Sequence, residues 1–263
     1  MKAENIEDIY KLSPTQQGLL FHTLYAPESG VYCDQYRIAF KGNLNSSAFE
    51  QAWQQAAKRH SVLRTSFFWE EVEEPMQVVH RQIALSLKQY DWRGINPAEQ
   101  QHKLEAFLKA DRRRGYQLCD PPLMRLALIQ MTDDVYQFIW SNHHILFDGW
   151  SRFVLFKEVL ELYQALNNGN HIYLKPSFPY RKYIAWLRQQ DLSQAEAFWR
   201  QALQGVTAPT PLMVDRLISN ISSTEEHSEQ QIELSLANTD RLKSLARQYQ
   251  LTLNTLVQGA WAL

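Results

Sequence analysis

"VYQFIWSNHHILFDGWS", residues 135–151, runs from a strand-like stretch into a tight turn and on toward a helix, and its reading decides the fold. Tyr136, Phe138 and Trp140 alternate with Val135 and Ile139, the period of a strand with two distinct faces. Upstream, "LMRLALIQM" (123–131) is a second strand-like run. Only Thr132, Asp133 and Asp134 separate the two, so they form an antiparallel hairpin. Downstream, "SRFVLFKEVLELYQALNNG" (151–169) spaces Leu155, Val159, Leu162, Tyr163 and Leu166 as the buried stripe of a helix that stops at Gly169. The histidine pair therefore sits where a strand hands over to a helix.

The flanking sequence continues this alternation. "LSPTQQGLLFHTLY" (12–25) predicts a helix capped by Ser13, with Pro14 at its first position and Gln16 completing a capping box. "CDQYRIAF" (33–40) has the two-residue period of a half-buried strand. "NSSAFEQAWQQAAKRH" (45–60) places Phe49, Ala52, Trp53, Ala56 and Ala57 on one helical face. "VLRTSFFWEEVEEPMQVVH" (62–80) reads as two strands joined by an acidic turn. "NPAEQQHKLEAFLKADRRRG" (96–115) is a helix capped by Asn96, with Pro97, Glu99 in the box and Gly115 at its end.

Beyond the central helix, "HIYLKPSFPY" (171–180) reads as a linker, which puts a domain boundary near 172–179 and divides the chain into 1–174 and 175–263. Helices follow in "YRKYIAWLRQQ" (180–190) and "SQAEAFWRQALQG" (193–205), the latter with a capping box at Ser193 and Glu196. Residues 205–229 are expected as an extended loop, "QQIELSLA" (230–237) as a strand, and the last 26 residues as two helices, ending in an apolar stretch that makes the second lobe look truncated. The fold class is α/β: a mostly antiparallel or mixed sheet covered by helices.

Composition narrows the function. A net charge of -1 over 263 residues gives no electrostatic footprint for nucleic acid, and "KADRRRG" (109–115) is read as a solvated helix end. No apolar run is long enough for a bilayer, and the N-terminus has no signal-like block, so a cytoplasmic location is expected. Cys33 and Cys119 lie far apart and at no metal-ligand spacing, which fits a reducing compartment.

Successive strand residues face opposite ways, so His143 and His144 cannot both enter one cleft while the strand stays regular. One is structural and one functional, and alternation alone does not say which. Gly149 after Asp148 suggests a turn that other residues would resist. Ordinary strand-end histidines, a metal site and an acid–base site all compete here. The metal site lacks further ligands, since the histidines at 22, 60, 80, 102, 171 and 227 form no local motif.

"NHHILFDGWS" resembles the HHxxxDG motif of the condensation domains of nonribosomal peptide synthetases, which is shared with chloramphenicol-acetyltransferase-like enzymes. "LSPTQQGLLFHTLY", "RHSVLRTSF" (59–67), "YRKYIAWLRQQ" and "QGAWAL" (258–263) are similar to that family's other motifs, in order. The resemblance implies an acetyltransferase-like N-terminal lobe and the beginning of a second one. It also implies peptide-bond formation between thioesters carried on the 4'-phosphopantetheine of donor and acceptor carrier proteins, beside an adenylation domain. No intrinsic cofactor or metal is implied. His144 takes the active position and His143 a supporting one. Asp148 is structural and paired with Arg64 on the "VLRTSFF" strand, because a carboxylate inside a tunnel is costly unless paired. Trp150 is a site neighbour, backbone N–H groups near Gly149 are candidate oxyanion donors, and Arg59 is a capping or solvent-exposed group. By the same resemblance the chain alone is expected to be inactive and to self-associate weakly through exposed apolar surface. A carrier-binding module without catalysis and a coenzyme-A-dependent acyltransferase remain alternatives.

Overall fold

The hairpin of β6 (Met124–Gln130) and β7 (Val135–His143) forms the centre of a four-stranded sheet. β2 (Cys33–Lys41) runs antiparallel to β7 on one side, and β5 (Leu87–Asp91) runs parallel to β6 on the other, giving the order β2-β7-β6-β5. A second, antiparallel sheet has the order β1-β4-β3, built from Ile6–Lys11, Met76–His80 and Thr65–Phe68. The sheets are thus mixed and antiparallel, as the alternating pattern requires. The computed structural model describes residues 3–170, 172–208 and 231–262.

The helices cover this framework along the faces their sequences dictate. α1 (Pro14–Tyr25) begins with the full Ser13–Gln16 capping box. The apolar face of α2 (Ser46–Arg59), with Phe49 and Trp53 fully buried, packs with α4 (Gly149–Asn167) on the Phe138 and Trp140 face of β7. Phe49 meets Phe138 edge-on at 4.9 Å and Trp53 meets Trp140 at 4.8 Å, an arrangement that adds to simple burial. Ile139, on the other face of β7, packs with Ala127, Ile129 and Leu104 of α3 (Pro97–Arg114).

Several local expectations are corrected. β1 and β5, not singled out from the sequence, are short edge strands in which only Leu87 is buried, too little apolar burial to write a period. The capping box at Ser193 and Glu196 does not form: α6 (Ser193–Ala202) has Leu192 at its N-cap, and the Asp191 carboxylate accepts the Ser193 N–H instead. Residues 231–235 are not a strand; Ile232 and Leu234 are exposed, so no buried period forms, and Leu236 opens α7 (Leu236–Gln248). Residues 205–208 form no helix or strand, and the rest of the expected loop, 209–229, lies outside the described residues.

The described residues belong to two compact units, within 1–217 and 218–263. α5 (Tyr180–Leu187) belongs to the first unit; Ile184 is buried and Arg181 reaches Asp8 of β1 at 3.2 Å. The second unit contains α7, capped by Ser235, and α8 (Leu253–Ala262). No helix among the described residues is long and apolar enough to cross a membrane.

Candidate active site at the strand–helix junction

The two histidines of the junction occupy different environments. His143, the last residue of β7, is 2% exposed. Its Nδ1 accepts the Ile145 N–H at 3.1 Å, so Nε2 carries the proton and donates to Thr23 Oγ1 at 3.1 Å. The Thr23 hydroxyl in turn donates a hydrogen bond to the Leu19 carbonyl at 2.8 Å. Burial pushes the His143 imidazole down to about 4, leaving a neutral ring that ties α1 to the turn.

His144 lies one residue past the strand. Its N–H donates to the Tyr32 carbonyl at 2.8 Å and extends the β2–β7 ladder by a step. Its side chain is 37% exposed, and its Nδ1 stands 2.6 Å from Asp34 Oδ2. The Tyr32 ring stacks on it, with centroids 6.3 Å apart. His144 also lines a cavity of about 1010 Å³, together with Asp148, Trp150, Arg64, Glu7 and Tyr180. His143 is absent from that wall.

Asp148 is exposed and serves as the N-cap of α4, accepting the Ser151 N–H at 2.8 Å. That hydrogen bond holds its carboxyl below the usual range. Arg64 is not its partner. Arg64 lies in a 3-10 turn, Ser61–Arg64, just ahead of β3 rather than on the strand. Its buried guanidinium meets Glu7 Oε2 at 2.7 Å and donates to the carbonyls of Ala57 and His80. The expected Asp148–Arg64 pair is replaced because an exposed carboxylate at a helix N-terminus is already satisfied by water and backbone N–H groups, whereas a buried guanidinium needs close acceptors.

Gly149 opens α4 without a positive φ, and no atom lies within 4 Å of where a Cβ would stand, so the turn does not require glycine for its backbone angles. Trp150 is 83% exposed and lines the cavity. Arg59, expected to cap its helix or meet solvent, is joined to Glu158 of α4 at 3.2 Å and donates to the Lys175 carbonyl. Among the described residues, no cluster of three or more His, Cys, Asp or Glu could hold a metal ion.

Residues 6–263 match the family model for the condensation domain. The chain belongs to the condensation-domain family. It is 37% identical over 262 residues to bacitracin synthase 3 of Bacillus licheniformis, covering 100% of this chain and 4% of that protein. It is 33% identical over 260 residues to tyrocidine synthase 2 of Brevibacillus parabrevis, covering 99% of this chain and 7% of that protein. The fold is similar to the first condensation domain of the calcium-dependent antibiotic synthetase, solved in complex with a substrate analogue, with TM-score 0.68 and 19% identity over 79% of this chain and 51% of that one. It is also similar to the starter condensation domain of a rhizomide synthetase, with TM-score 0.65 and 22% identity over 78% of this chain and 51% of that one. The chain therefore spans about half of each of these solved condensation domains, which carry the chloramphenicol-acetyltransferase-like fold.

Sequence reading missed two residues that contact this candidate site, Asp34 beside His144 and Glu7 beside Arg64. A signal for Asp34 was present: pairing "CDQYRIAF" with the motif strand so that Tyr36 faces Trp140 puts Asp34 opposite Asn142, one step from the histidines. Glu7 belongs to an edge strand whose position beside Arg64 only the tertiary fold reveals.

Proposed function

We propose that this chain contributes the HHxxxDG-bearing lobe, residues 1–174, and the start of a second lobe, 175–263, to a domain that forms peptide bonds in the cytoplasm during nonribosomal synthesis. The acceptor amine attacks the carbonyl of the donor thioester, a C–N bond forms, the C–S bond breaks, and the thiol leaves with a proton. The substrates arrive on the phosphopantetheine of donor and acceptor carrier proteins, with an adenylation domain alongside in the same synthetase.

One observation carries this reading: of the two motif histidines, His144 lines the cavity while His143 is sealed in the protein. An α-amine has a pKa of about 7.7–8.0, so much of it is already nucleophilic near neutral pH. What His144 supplies is an acceptor for the proton released as the nitrogen bonds to carbon, and a fixed point for the nucleophile. His143 and Asp148 support the turn, Gly149 opens the helix that follows it, and Arg64 supports the cavity wall.

Aminoacyl carrier-protein pairs tested against acyl-coenzyme A with free amines and alcohols separate the possible activities. Peptide product only from the carrier-bound pair is expected; transfer from coenzyme A to an alcohol would favour a free-standing acyltransferase, and tight carrier binding without product a recruiting module. Exposed apolar residues on α4, Phe153 and Val154, together with Val257 and Trp261 of α8, also lead us to expect weak self-association. A constant monomer mass in light scattering over a wide concentration range would contradict that.

A further inference from the structure

We propose that Asp34 is a positioning residue that holds His144 with its proton on Nδ1, so that Nε2 is the free acceptor at the reacting centre. The inference rests on the reading of His144 given above and adds to it a partner outside the motif.

An ionised carboxylate only accepts hydrogen bonds. At 2.6 Å from Asp34 Oδ2, His144 Nδ1 must be the donor. A neutral imidazole has one N–H, and the hydrogen bond made by one nitrogen decides which of the two carries it. Nε2 is left with its lone pair, the form needed to take a proton from an attacking amine.

The support is rigid. Asp34 faces Asn142 and Tyr36 faces Trp140 across the β2–β7 ladder, while Tyr32 accepts the His144 N–H, so the groups share one face of two paired strands. Asp34 Oδ2 accepts a second hydrogen bond, from the Tyr36 hydroxyl at 3.0 Å. The Arg152 guanidinium lies over the Tyr36 ring at 4.2 Å, and burial followed by the Asp34 charge pushes the Tyr36 phenol up, which keeps it a donor. Sites built on strands with their own supporting hydrogen bonds hold a ring more tightly than sites on loops.

The motif's own carboxylate does not compete for this task. Asp148 accepts from Ser151 at the head of α4. Asp34, by contrast, touches the histidine but does not line the cavity. Its loss should therefore act on turnover rather than on substrate affinity.

The test is the tautomer of His144, read from side-chain nitrogen NMR of the 15N-histidine-labelled chain at a pH where the ring is neutral. Wild type is expected to show protonated Nδ1 and bare Nε2. Asp34→Asn, whose amide can donate to Nδ1, should move the proton to Nε2, as the corresponding change does in the serine-protease triad. Tyr36→Phe should leave it on Nδ1. In the synthetase module that carries this chain, Asp34→Asn should lower kcat about 10- to 100-fold while KM stays within about threefold. A wild-type ring protonated on Nε2 overturns the inference without any variant. So does an Asp34→Asn ring still protonated on Nδ1, or wild-type turnover in Asp34→Asn when His144→Ala is inactive. If His144→Ala is itself fully active, the catalytic reading fails first and the inference falls with it.

Discussion

Arg64 Nη1 and Glu7 Oε2 meet at 2.7 Å in the wall of the cavity that holds His144, and they join the turn before β3 to the edge strand β1. The Arg64 side chain is 7% exposed and that of Glu7 41%. The arginine is thus the member that depends on the contact. Arg64→Ala should cost about 3 kcal/mol or more, because it leaves buried carbonyl oxygens unpaired, whereas Glu7→Gln should cost less than about 1 kcal/mol. A double-mutant cycle between Arg64 and Asp148, followed by urea unfolding, should give a coupling below about 0.5 kcal/mol. A large coupling would restore the pair expected from the sequence.

His143 makes a pH prediction. The unfolded chain takes up a proton near the ordinary value of 6.5, but the folded chain resists until about 4, so between these values the unfolded state binds more protons. Stability from this residue is complete above the upper value and falls with pH toward the lower one, by about 3 kcal/mol in all. His80, pushed down by burial and by Arg64, adds loss of the same sign. His143→Gln should flatten the wild-type decline measured by denaturant unfolding across this window. Equal slopes in both proteins would mean that His143 is not sealed from water.

The turn itself separates Asp148 from Gly149. Asp148→Ala removes the cap of α4 and should cost about 1 kcal/mol. Gly149→Ala meets open space at a helical position and should be neutral or stabilising by up to about 1 kcal/mol. Thermal unfolding of both variants checks the pair; a strongly destabilised Gly149→Ala would show that the backbone there is strained.

The face of β7 under the site can be tested by truncation. Phe138 is fully buried between Phe49, Trp53 and Phe156. Phe138→Ala should cost about 3–5 kcal/mol in equilibrium unfolding. A loss below about 1 kcal/mol would place the core elsewhere.

The hairpin and α4 were legible because buried elements write their period strongly: Tyr136, Phe138 and Trp140 of β7 and Leu155, Val159 and Leu162 of α4 enter one core, and Ile139 enters another on the far face of β7. β1 and β5 were not, since they are short, with six and five residues, and only Leu87 of the two is buried. The histidine motif and its turn could be read locally, but the partners of its side chains could not. Asp34 reaches His144 across 110 residues and Glu7 reaches Arg64 across 57, separations that no local pattern encodes. The same reason explains the wrong partner for Asp148: a charge that seemed to need an arginine was satisfied by the first turn of its own helix.

The most direct test of the proposed activity is peptide formation between two aminoacyl-loaded carrier proteins by the full-length protein, with and without His144→Ala. Loss of turnover by about 100-fold or more, with carrier binding and folding retained, is the predicted result. Wild-type turnover in His144→Ala would contradict the assignment of the reacting centre to this imidazole.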